Sequence, residues 1–165
     1  MFDRNYKFYG SHAKKAVALN TNVGKTGKGL FDRLLDVYLT APLVGFLFGT
    51  KAELNKDDGE ERNIFLEQIS QEKNKLELNY RTIMLLDEEY ESDLDKRVDK
   101  VFRTASDNRD PSDEEHYESY VRGGVDKLYE KLIEPAKTPD DYYLLLVNFL
   151  EEFDTRYNKN IDALE

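Results

Sequence analysis

The chain has no cysteine and no tryptophan among its 165 residues, and only two histidines, two methionines and four prolines. Absence of cysteine excludes a disulfide framework, a thiolate metal site and a cysteine nucleophile. Two histidines are too few for the usual zinc or iron centres, so the sequence predicts no metal and no cofactor. Long hydrophobic runs are missing too. The most apolar stretch, Val37 to Thr50, carries no charge over 14 residues and is closed by Asp36 and Lys51. A membrane span needs about 20 such residues, so this stretch reads as a buried core helix. The opening Met1-Phe2-Asp3-Arg4 has no apolar run behind a basic start, as a secretory signal would. These features predict a cytoplasmic protein with no membrane partner.

What is present is a core and an excess of acid. Hydrophobic residues make up 39% and aromatics 12%, too much for a wholly disordered chain. The formal net charge is -10, unevenly spread. Residues 1–30 hold Arg4, Lys7, Lys14, Lys15, Lys25 and Lys28 against Asp3 alone, a net of +5, and the remainder carries -15. The division suggests a basic N-terminal segment, 1–29, with a glycine-rich loop, followed by an acidic helical domain, 30–165.

Periodicity predicts an all-α fold: an irregular bundle of five to seven helices around a central apolar helix, with a short strand at Tyr6–Tyr9. Ser11 is placed to cap a helix over His12–Leu19. Leu30, Phe31, Leu34, Leu35, Tyr38 and Leu39 recur at helical spacing, and the run continues past Pro42 to Phe48. Being apolar nearly all round, Leu30–Phe48 is the expected centre of the bundle. Asp58 and Glu61 suggest a capping box opening a helical region to Asp87, with Phe65, Ile69, Leu76, Tyr80, Ile83 and Met84 facing inward and a break near Gln71–Lys75. A shorter helix over Ser92–Arg103 carries Leu94, Val98, Val101 and Phe102. Ser112 with Glu115 predicts the next cap, and Tyr117, Val121, Val125, Leu128 and Leu132 follow at helical spacing. Thr138-Pro139-Asp140-Asp141 starts the last helix.

Chemical motifs fail one by one. Gly24-Lys25-Thr26 lacks the earlier glycine of a phosphate loop, that position being Leu19. Asp57-Asp58-Gly59 lacks the calcium-loop acids, because the first and twelfth positions would be Leu54 and Phe65. Asp113 and His116 share a helix face, but no second such pair exists for a di-metal bundle. No catalytic residue can be named.

Two features remain. Lys7, His12, Lys14, Lys15, Lys25 and Lys28, beside Tyr6, Phe8 and Tyr9, form a candidate contact for a partner or an anion. The same residues also suit nucleic acid, an acidic partner protein, or the chain's own acidic helices. Arg122, Gly123 and Gly124 mark a second candidate, a close helix crossing or an interface. The expected function is a non-enzymatic helical interaction module, one component of a larger assembly. The alternative is a nucleic-acid-associated accessory protein working through residues 1–29, which would act as a handle outside the main core.

Overall fold

A computed structural model describes residues 1–21, 29–56, 59–105, 108–138 and 140–158. Among them are seven α-helices, one π-helical turn and a two-stranded antiparallel sheet. The mostly helical class and the N-terminal strand agree with the sequence pattern. No helix among the described residues is long and apolar enough to cross a membrane.

Strand β1 (Tyr6–Tyr9) pairs with β2 (Glu61–Ile64), Tyr6 opposite Ile64 and Tyr9 opposite Glu61. This corrects the helix expected to begin at Glu61. A lone strand leaves its backbone groups unpaired, and the segment after residue 60 supplies the partner. Phe65 is 60% exposed rather than on an inner stripe. Its N–H donates to Gln68 Oε1 at 3.3 Å as helix α3 (Leu66–Gln71) begins. Helix α4 (Lys73–Leu86) follows a break at Glu72, inside the polar stretch where a break was expected, and buries Leu76, Tyr80, Ile83 and Met84.

Helix α1 (Gly10–Asn20) starts directly from β1, without the expected Ser11 cap. Helix α2 (Leu34–Phe48) begins four residues later than Leu30. The Asp36 carboxylate holds the Arg33 N–H at 2.9 Å and sets the start there, while Phe31 is tied to α1 through its N–H on the Leu19 carbonyl at 3.1 Å. Pro42 sits inside α2 without ending it.

Helix α5 (Leu94–Val98) is capped by Asp93 and runs into the π-helical turn Asp99–Arg103. Its expected apolar stripe is corrected. Leu94 and Phe102 face solvent, whereas Arg97 is buried and donates to the Glu91 carbonyl at 2.9 Å and to Glu88 Oε1 at 3.1 Å. A guanidinium can be buried when each end finds an acceptor.

Helix α6 (Pro111–Leu132) opens two residues before the Ser112 box. Asp110 is the cap, accepting the Ser112 N–H at 2.8 Å, and Pro111 occupies the first turn. Gly123 and Gly124 do not interrupt it. Helix α7 (Asp141–Asn158) is opened by Asp141, whose carboxylate accepts the N–H groups of Lys137 and Thr138 at 2.8 Å.

The centre of the bundle is a pair, α2 against α6. Helix α6 also meets α1, α4 and α7. Tyr38, Ala41 and Val44 of α2 and Tyr117, Val121, Val125 and Leu128 of α6 are all buried in one cluster. Phe2, Phe8, Ala13, Ala16 and Leu19 belong to the same cluster. Tyr6 stacks on Tyr38 at 4.0 Å, and Phe2 meets Tyr38 and Tyr117 edge-on. The described N-terminal residues are therefore part of the main core, which corrects the expectation of a handle lying outside it. Their aromatics have no other place to leave water.

Candidate functional site

The structure places the basic N-terminal side chains against acids distant in sequence. Lys7 Nζ lies 2.7 Å from Glu61, Arg4 lies 3.2 Å from Glu114, and Lys15 Nζ lies 2.8 Å from Asp126. His12 is buried, with Nε2 3.4 Å from the same Asp126 carboxylate. Lys14 is exposed, and Lys25 and Lys28 lie outside the described residues. These side chains are spread along β1 and two sides of α1, not gathered into one patch. Strand and helix periodicities send alternate residues to different faces, so sequence proximity did not become spatial proximity.

Gly123 and Gly124 sit where α6 crosses α2. A Cβ on Gly124 would lie 1.7 Å from the Ala41 carbonyl oxygen, and one on Gly123 would lie 2.1 Å from that of Thr50. Gly45 answers from α2: its Cβ would lie 2.1 Å from the Tyr120 carbonyl oxygen. The two backbones touch at this point. Arg122 points away from the crossing. Its Nε donates to the Ala52 carbonyl at 2.8 Å, and its other end pairs with Glu115. Arg122 and Glu115 line two cavities, one on either side of them.

The first cavity, about 500 Å³, lies between the N-terminal strand and α6. Glu118 lines it, accepting the Tyr38 hydroxyl at 3.0 Å, with the Tyr6 hydroxyl as a second donor. Burial pushes the Glu118 carboxyl up to about 7, against the lowering effect of those hydroxyls and the Arg122 charge. His12 lines the same cavity, and its Nδ1 is buried without a hydrogen-bond partner.

The second cavity, about 410 Å³, is lined by Lys51, Tyr90, Ser112, His116 and Ser119 besides the shared pair. His116 is held on two sides. Its Nε2 is 2.6 Å from Asp87, and its ring stacks on Tyr90 at 3.7 Å. Asp87, also buried, takes the Tyr120 hydroxyl at 2.7 Å. Burial alone would raise the Asp87 carboxyl; bonds from His116, Tyr120 and the Tyr90 N–H outweigh it and hold the carboxyl below its usual range. Burial lowers His116, so the neutral ring donates Nε2–H to Asp87. Tyr90 is fixed in turn through Asp113, which also binds Lys100 at 2.6 Å. Asp113 is therefore a member of this network. Among the described residues no group of three His, Asp or Glu side chains is placed to hold an ion.

A different kind of surface lies on α7. Leu146 and Phe149 pack toward the core, Phe149 stacking on Phe48 at 5.9 Å. Tyr143, Leu144, Val147 and Leu150 are 55%, 62%, 49% and 57% exposed. Their spacing makes one continuous stripe. The spacing of Tyr142, Leu146, Phe149, Leu150, Phe153 and Tyr157 predicts one inward side of the last helix with Leu150 on it, and singles out neither this stripe nor Glu118, Asp87 and Gly45. Periodicity marks the stripe as apolar without saying which apolar face meets the core. Compared with protein families, curated proteins and solved structures, the chain matches none.

Proposed function

We propose that this protein is a non-enzymatic helical interaction module, cytoplasmic and part of a larger assembly, which binds its partner through α7. The observation that carries the reading is the stripe Leu144, Val147 and Leu150, each about half exposed or more on a helix whose opposite face is packed. Contiguous exposed apolar surface marks interaction sites. The stripe is bordered along the helix by Asp141 and Glu151. A second copy would bring these acids against their own kind, in a chain of net charge -10. The matching occupant is an amphipathic helix with an apolar face flanked by Lys and Arg. Three of the cations on which the nucleic-acid alternative rests, Arg4, Lys7 and Lys15, lie in ion pairs with Glu114, Glu61 and Asp126, which favours the protein partner.

The test is fluorescence polarisation with a labelled Leu/Lys amphipathic helix, a Leu/Glu counterpart and a DNA duplex. The expected result is binding of the basic helix alone. Leu144→Ser with Leu150→Ser should weaken it by about tenfold or more while leaving the melting temperature near wild type. Basic-helix binding that the double variant leaves unchanged, or salt-sensitive binding of the duplex, would overturn the proposal.

A further inference from the structure

The outer edge of β1 is open. In an antiparallel pair, successive residues of a strand turn their backbone groups to one side and then to the other. The Gly10 N–H donates to the Glu60 carbonyl at 2.8 Å. Counting back along the register, Phe8 with Arg62 and Tyr6 with Ile64 are the hydrogen-bonded pairs, so the backbone groups of Lys7 and the Tyr9 N–H point away from β2. Among the described residues, the Lys7 N–H and C=O and the Tyr9 N–H meet no backbone or side-chain partner on that side. An unpaired strand edge is a template for another strand.

The second observation is what lies beside that edge. All four residues of β1 line the first cavity, of about 500 Å³, and no residue of β2 does. A cavity on one face of the sheet would touch alternate residues of both strands; touching every residue of one strand places it along the edge. Its charged groups are already engaged: Arg4 and the amino terminus with Glu114, Arg122 with Glu115, Lys7 with Glu61, and Glu118 with the Tyr38 hydroxyl. A charged occupant would bring a charge with no counter-ion left for it, whereas an uncharged one needs none. The apolar walls come from Tyr6, Tyr38, Leu54 and Ile69.

We infer that this cavity is a strand-addition site: an extended, uncharged peptide segment of a partner protein lies along β1 as a third strand, its backbone exchanging hydrogen bonds with Lys7. In this mode main-chain bonds supply affinity and alternate side chains supply specificity. The residue opposite Lys7 shares the outward face of Lys7 and is polar; the residues on either side of it turn to the face of Tyr6 and Tyr38 and are apolar. The four residues of β1 span roughly 13 Å, so the contact takes about four residues of the partner. No residue of α7 lines the cavity, so this site stands apart from the α7 surface.

Amide hydrogen exchange of the full chain, read by NMR with and without the end-capped peptide Thr-Val-Thr-Val-Thr, tests this. In the peptide-free chain the Lys7 amide should exchange about tenfold or more faster than those of Tyr6 and Phe8, and saturating peptide should slow it by about tenfold or more. The same peptide N-methylated at every residue, which keeps the side chains and loses the main-chain donors, should bind about tenfold or more weakly. Leu144→Ser with Leu150→Ser should leave this binding unchanged, which separates the site from the α7 interface. Protection of the Lys7 amide in the peptide-free chain, by its own fold or by a second copy, would overturn the inference. So would no added protection at about 1 mM peptide, equal binding of the N-methylated form, or binding lost in the α7 variant.

Discussion

Replacing Gly124 with Ala sets two effects against each other. Alanine gains about 1 kcal/mol of helix propensity over glycine in a helix interior. The new methyl would sit 1.7 Å from the Ala41 carbonyl oxygen and 2.9 Å from the Gly45 nitrogen. Both neighbours are backbone, so no rotamer change relieves the clash. The helices must move apart by more than an ångström, and a gap of even 0.5–1 Å forfeits roughly a quarter to a half of each dispersion contact along the seam. That seam includes Tyr38, Val44, Tyr117, Val121 and Val125. Overpacking of this kind costs about 3 kcal/mol or more where the surroundings cannot yield. The expected net loss is at least about 2 kcal/mol, or about 4–8 °C in melting temperature for a chain of this size. Urea denaturation followed by circular dichroism measures it directly. A Gly124→Ala protein with an unchanged or raised midpoint would refute the claim that the two backbones touch here.

Three further outcomes follow from the same packing. Glu118→Gln should alter the pH dependence of stability. The Glu118 carboxyl titrates at about 7 when folded, against an ordinary value of 4.5, so the folded state holds the extra proton between these values and stability drops as pH rises through that window. The wild-type-minus-variant difference should fall by about 3 kcal/mol from pH 4.5 to pH 8 in urea midpoints, and a flat difference would contradict the burial of Glu118. That subtraction also removes His116, whose lowered value acts with the opposite sign, adding stability as pH rises through the ordinary histidine range. Phe8→Ala should cost about 3–5 kcal/mol by thermal or urea unfolding, because Phe8 is 1% exposed in the shared core; near-native stability would restore the idea of a detachable N-terminal handle. Gly49→Ala should cost about 1–2 kcal/mol in the same assay, for a conformational reason alone: Gly49 has φ +64° and nothing within 4 Å of a Cβ, so Gly49→Asn should be milder.

Local chemistry made several elements readable in advance. The aromatic run Tyr6–Tyr9 became a strand, the apolar run to Phe48 a buried helix, and the 3–4 spacing from Tyr117 to Leu132 the inward face of α6. Such patterns depend on neighbours within a turn or two. Helix starts were less readable where caps competed. Asp110 won over Ser112 because a carboxylate satisfies the first-turn N–H groups and favours the positive helix end more strongly than a hydroxyl does. The segment Glu61–Ile64 was not readable at all, since its strand exists only because β1 lies beside it.

The candidate sites divide in the same way. That two adjacent glycines in a strongly patterned helix meant something unusual was visible along the chain, because glycine costs stability there unless space demands it. That Gly45 is the third member of the crossing depends on how α2 and α6 meet. Glu118 looks like any of 34 acidic residues until the fold sets it beside two tyrosine hydroxyls in a cavity. Lysines near the N-terminus were visible as charge, but their pairing with Glu61 and Asp126, 54 and 111 positions away, was not. Composition and periodicity specify which groups must leave water and which local shapes they favour. Which acid comes to lie between two tyrosine hydroxyls, and which apolar stripe is left uncovered, depends on long-range packing, where each group's energy depends on groups far away in the chain.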